Sequence, residues 1–121
     1  MFSIGIDLGG TNIAVGLVNE KYEIIKKGSV PTLAQRPCDE IVADMVALCK
    51  KLCEENGCRM SDADGIGIAC PGTVNSDTGI VEYANNIKFF DFPLVSIFSE
   101  LSGIEKKKIA VGNDANFAAL G

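Results

Sequence analysis

From residue 2 to residue 8 the chain alternates Phe2, Ile4, Ile6 and Leu8 with Ser3, Gly5 and Asp7. That two-residue period predicts a strand with one apolar face and one small or polar face, so Gly5 and Asp7 share a side. Gly9-Gly10 then offers the positive φ angles of a tight hairpin, and Asn12 to Val18 returns as a second strand. The polar turn Asn19-Glu20-Lys21 leads into a third strand, Glu23 to Val30. Past Pro31 and Pro37 the apolar positions become Ile41, Val42, Met45, Val46, Cys49, Leu52 and Cys53, three and four apart. With Asp39 and Glu40 in the first turn and Gly57 as a stop, this predicts an amphipathic helix of about five turns.

Gly65 to Cys70 reads as a buried strand ended by Pro71-Gly72, and helix followed by strand implies a parallel crossover. The cluster Asn75-Ser76-Asp77-Thr78-Gly79 predicts a small hairpin joining Thr73-Val74 to Ile80–Tyr83. Pro93 suits the first position of a second helix, with Leu94, Ile97, Phe98 and Leu101 as its apolar face and Gly103 as its end. Lys108 to Val111 reads as the last strand, and Ala115 to Leu120 begins a helix that stops at Gly121. A break inside a helix reads as an imposed boundary on a longer protein.

Composition narrows the class. The 121 residues are 47% hydrophobic and 22% charged, enough for one globular core. A net charge of -5 disfavours a nucleic-acid partner, which draws on clustered Lys and Arg; the one basic run, Lys106-Lys107-Lys108, is short and reads as a solvated approach to a strand. The first residues lack the basic segment of a secretory signal and reach Asp7 too soon for a membrane span, so a cytoplasmic protein without membrane contact is expected. Five cysteines and no histidine favour reduced, structural thiols: Cys49 and Cys53 fall on the helix's apolar stripe, and chelation by Cys49, Cys53 and Cys58 is the lesser reading.

Four places carry candidate chemistry. The backbone amides of Gly9 and Gly10 and the Thr11 hydroxyl can form a concave anion nest, with Asp7 beside it able to hold Mg2+ through water. The spacing is neither a P-loop nor a dinucleotide fingerprint, and alone it also fits a plain hairpin. Asp114, after a strand and before a helix, is first of all a helix N-cap; at the carboxyl end of a strand it can also be a general base, with Asn113 beside it to bind a hydroxyl. Gly72 and Asn85-Asn86 are either turn residues or sugar contacts.

Together these segments resemble the ROK proteins (repressors, open reading frames, sugar kinases), a family of the actin-like, ribonuclease-H-like ATPase fold. Asp7-Leu8-Gly9-Gly10-Thr11 is similar to the family's first phosphate motif and Gly67-Ile68-Ala69-Cys70-Pro71-Gly72 to the strand and turn beside the sugar. Ala84-Asn85-Asn86-Ile87 before Pro93-Leu94 resembles the sugar-contacting segment, and Gly112-Asn113-Asp114-Ala115 the segment with the catalytic Asp. The resemblance implies an α/β domain with a mixed five-stranded sheet, three antiparallel N-terminal strands and flanking helices. It also implies ATP-dependent hexose phosphorylation by a longer, homo-oligomeric (dimeric) parent.

In that reading Asp114 is the base, Gly72, Asn86, Asn113 and Asp114 bind sugar, and Gly9, Gly10, Thr11 and Asn12 meet the ATP phosphates, with Mg2+ near Asp7. A carboxyl-terminal lobe, with its structural Zn2+ and the second half of the ATP site, lies outside this chain, so weak or no binding of sugar and ATP is expected from residues 1–121 alone. Asn12 stands where many members have Lys and Phe89 near where many have Trp, so substrate choice is not carried over. Two other readings stand beside the kinase. One is a sugar-sensing transcriptional regulator, for whose DNA-binding segment a start at Met1 leaves no room; the other is a non-catalytic sugar-binding lobe.

Overall fold

The computed structural model describes residues 2–70, 72–75, 77–84, 87 and 89–112. Strands β1 (Phe2–Leu8), β2 (Asn12–Asn19), β3 (Ile24–Pro31), β4 (Ile66–Ala69) and β8 (Ile109–Gly112) form one sheet in the order β3-β2-β1-β4-β8. The first three are antiparallel neighbours, while β4 runs parallel to β1 and β8 parallel to β4. This is the mixed five-stranded sheet expected, with the third strand one residue later than predicted.

Register sorts the side chains by face. Ile4 lies between Leu17 and Ile66, and Ile6 between Val15 and Ile68, so the large apolar residues form continuous rows across the strands. Helix α1 (Cys38–Glu55) covers those rows and packs against helix α2 (Leu94–Ser102). Its buried residues are the predicted stripe plus Leu48, which together with Leu52 lies against Gly28 of β3. A Cβ on Gly28 would come within 3.1 Å of Leu52, so this glycine lets helix and sheet approach closely. Past its last turn, α1 ends as the sequence suggests: Gly57 has φ 72°, its amide donates to Glu54 O at 3.1 Å, and the Cys58 amide donates to Cys53 O at 2.9 Å. These are the paired bonds of a Schellman cap.

The opposite face of the sheet is built of small residues. Gly5 pairs with Gly16 and Gly67, Asp7 with Ala14 and Ala69, and Ala14 with Ser29. Over it runs a groove of about 570 Å³, lined among others by Gly5, Asp7, Ala14, Gly16, Lys27 and Ser29.

The predicted hairpin is present but is two-thirds of a second sheet: β5 (Thr73–Asn75) and β6 (Ile80–Tyr83) are joined by β7 (Phe90–Phe92) in the order β5-β6-β7. Only three residues long and with Asp91 at its centre in a positive-φ conformation (46°), β7 is too short to show a period. Pro93 precedes α2 rather than opening it, and Leu101 is 44% exposed because the helix rests on Leu94, Val95 and Phe98. Lys106–Lys108 form a turn of 3-10 helix ahead of β8, with Lys108 donating to Ala63 O at 3.2 Å, so Lys108 is not part of the strand. The helix expected at Ala115–Leu120 lies outside the described residues.

Candidate functional site

The turn between β1 and β2 is the part of the predicted site that can be built atom by atom. The Gly9 amide donates to Asn12 O at 3.0 Å, closing a four-residue turn. Neither Gly9 nor Gly10 is among the glycines with positive φ, which are Gly57, Gly72, Gly79 and Gly103. The reason for glycine at position 9 is instead close approach: a Cβ there would lie 3.0 Å from Asn12 O.

The carbonyls of this turn are held from behind. Gly9 O accepts from Thr32 Oγ1 at 2.7 Å, and Thr11 O accepts from the Thr32 amide at 2.9 Å. Among the described residues the amides of Gly10 and Thr11 have no hydrogen-bond partner. Gly9 O shares a trans peptide plane with the Gly10 amide, so holding that carbonyl on Thr32 turns this amide to the open side of the turn, where it can donate to an anion. Thr11 and Asn12 are exposed at its rim.

Asp7, two residues before Gly9, is exposed on the small-residue face at the carboxyl end of β1. Parallel pairing aligns Asp7 with Ala69 at the end of β4, and Ala69 with Gly112 at the end of β8. The Cys70 amide donates to Gly112 O at 2.8 Å and ties those two ends together. Open α/β sheets bind ligands beyond such carboxyl ends. Among the described residues no cluster of three or more His, Cys, Asp or Glu is arranged to hold a metal ion. A hydrated Mg2+ needs less from the protein, and an exposed carboxylate such as Asp7, two residues before the Gly9–Asn12 turn, has the chemistry to hold one.

Gly72, the predicted sugar-side glycine, has φ 93°, a conformation that favours glycine, and leads directly into β5. Cys70 is buried, and burial pushes its thiol up to about 12, so at neutral pH it is not a nucleophile. Phe89 is buried and stacks on Phe92 at 4.5 Å between ring centroids, so the position near the family's Trp is filled by a core side chain. Asn86, Asn113 and Asp114 lie outside the described residues; Asn113 and Asp114 follow Gly112 in the chain. The sequence reading missed Thr32. Its signal was a lone Thr after Pro31, whose value appears only when β3 is placed beside the turn.

A three-strand meander continued by two parallel strands, with helices on one face, a Gly-Gly-Thr turn after β1 and an acidic group at that strand's end, defines a ribonuclease-H-like domain of the actin-like ATPase class. The ROK family model matches residues 3–121, and the chain belongs to the ROK family. It is 38% identical over 119 residues to a glucokinase of Halalkalibacterium halodurans and 32% identical over 116 residues to an N-acetyl-D-glucosamine kinase of Yersinia pseudotuberculosis. These matches cover 98% and 96% of the chain but 35% and 36% of the relatives, so the chain spans about a third of their length. Among solved structures it is similar to a ROK family glucokinase from Streptomyces griseus in complex with glucose and AMPPNP. The TM-score is 0.81 at 31% identity, over 96% of this chain and 34% of that one.

Proposed function

We propose that this chain is the amino-terminal, sugar- and phosphate-binding lobe of an ATP-dependent hexose kinase acting on glucose or a related sugar or amino sugar. The observation that carries the reading is the Gly9–Asn12 turn, its carbonyls bound by Thr32 and its Gly10 and Thr11 amides left for an anion beside Asp7. Kinases and a glucokinase–nucleotide complex among the relatives supply the reaction class.

In the proposed mechanism Gly10, Thr11 and Asn12 hold the phosphates of ATP through backbone amides and the Thr11 hydroxyl, while Gly9, whose amide donates to Asn12 O, closes the turn that presents them. Asp7 would hold a hydrated Mg2+, which would neutralise phosphate charge. Gly72, Asn86 and Asn113 position the hexose, and Asp114 takes the proton from the attacking hydroxyl. Because phosphoryl transfer depends mainly on positioning and charge neutralisation, these roles suffice for one half of a site. The other half, together with a structural Zn2+ site, belongs to a carboxyl-terminal lobe of a cytoplasmic, dimeric parent.

Asp114→Asn in the full-length protein is expected to cut hexose turnover by about 10²- to 10⁴-fold, the range for a lost general base, with hexose affinity within about threefold of the parent. Steady-state rates and calorimetric sugar titration check it; turnover equal to the parent's would remove Asp114 as the base.

A further inference from the structure

Thr32 is the one polar side chain fully buried among the described residues, at 0% exposure, and the mechanism above does not use it. It sits just past β3, twenty-three positions from Gly9 in sequence, yet makes two hydrogen bonds to one turn: hydroxyl to Gly9 O at 2.7 Å and amide to Thr11 O at 2.9 Å. Its own carbonyl accepts from Arg36 Nε at 3.0 Å, and Arg36 Nη2 lies 2.7 Å from Asp44 Oδ2 on α1. That last approach is Coulombic rather than an aligned hydrogen bond, since the buried Nη2 has no hydrogen-bond partner. The series runs from the turn into α1, the longest helix among the described residues.

We infer that Thr32 is a positioning residue that aims the turn's amides at the nucleotide phosphates, with Arg36 and Asp44 fixing its place on α1; this rests on the kinase reading. The reason lies in the peptide plane. In a trans peptide C=O and N–H point in opposite directions, and none of the described bonds is cis. Holding Gly9 O on the Thr32 hydroxyl therefore turns the Gly10 amide away from Thr32, and holding Thr11 O on the Thr32 amide does the same for Asn12. Without the hydroxyl the Gly9 amide's bond to Asn12 O still closes the turn, but the Gly9–Gly10 plane loses the bond on its own carbonyl, and a glycine on either side offers little steric resistance to its rotation. The hydroxyl thus supplies orientation, while the methyl only fills space.

Thr32→Val keeps the branched shape and removes the donor; Thr32→Ser keeps the donor. In the full-length protein Thr32→Val is expected to weaken calorimetric binding of a Mg-bound, non-hydrolysable ATP analogue by about five- to tenfold, the scale of one lost hydrogen bond. The KM for Mg-ATP should rise in step while the KM for hexose stays within about twofold. Thr32→Ser should restore nucleotide affinity to within about twofold of the parent. Unchanged nucleotide affinity in Thr32→Val, an equal rise in both KM values, or no rescue by Ser would each overturn the inference. If Thr32→Val does not fold, Arg36→Met carries the test, with a nucleotide-selective loss of about threefold expected and no selective loss overturning the inference. A parent with no hexose kinase activity would instead refute the kinase reading, so the two failures are distinguishable.

Discussion

At the scale of single residues, the positions that matter most are those where a side chain, or its absence, fixes backbone. Gly79 is the sharpest case: with φ 73°, it sits where a Cβ would come within 2.6 Å of Val95 Cβ, and its carbonyl accepts from the Val95 amide at 3.2 Å. Gly79→Ala combines a left-handed backbone with a collision against the first turn of α2, so a loss of about 2–4 kcal/mol is expected in urea unfolding. A loss below about 0.5 kcal/mol would show that the turn does not lean on α2. Gly79 was legible as a turn residue from Asn75-Ser76-Asp77-Thr78-Gly79, but its contact with Val95 was not. Asp7 and Gly9 were legible for a related reason: a carboxylate on a small-residue face and a glycine pair between strands are local patterns. Thr32 was hidden because its partners are distant in sequence, and the positive φ expected at Gly9-Gly10 failed because close approach, not handedness, selects glycine at position 9.

At the scale of elements, strands β1 and β2 and both helices follow from the period of their apolar residues, since each buries one face, while β4, buried throughout, follows from its short apolar run ended by Pro71-Gly72. What the period missed is short or strained: β7, and the 3-10 turns at Met60–Asp62 and Lys106–Lys108. The cysteines behave as the helical stripe suggested. Burial raises the Cys49 thiol well above its ordinary range, and pushes Cys53, which also neighbours Cys58, and Cys70 up to about 12. In the unfolded chain such thiols ionise from their ordinary value of 9.0. Above that value the folded chain holds more protons than the unfolded one. Stability is therefore fully kept below about pH 9 and falls as pH rises towards about 12, by up to about 1.4 kcal/mol per pH unit for each thiol. Urea unfolding from about pH 8 to about pH 11 should show this decline, and Cys70→Ala should make it shallower. A slope identical in parent and variant would argue that the Cys70 thiol is not buried as described. In native-state alkylation Cys49, Cys53 and Cys70 should lag behind the half-buried Cys38 and Cys58.

At the scale of the molecule, the order β3-β2-β1-β4-β8 brings the carboxyl ends of β1, β4 and β8 into line, so segments far apart in sequence end at one edge. The sheet order could be anticipated from a meander followed by crossovers, and the motif order pointed to the family before any coordinates. The open small-residue face could not be weighed in that way, because a row of Gly and Ala reads the same whether solvent or another segment lies over it. The chain spans about a third of its relatives' length, so the proposed activity is best tested in a protein that carries the remaining two-thirds as well. The decisive measurement is ADP release by the full-length protein with Mg-ATP, read with and without each of a panel of hexoses and N-acetylated hexosamines. The account predicts release that depends on at least one of these sugars, with the matching sugar phosphate formed in equal amount. Sugar binding without any sugar-dependent ADP release would contradict it and favour a sensor over a kinase.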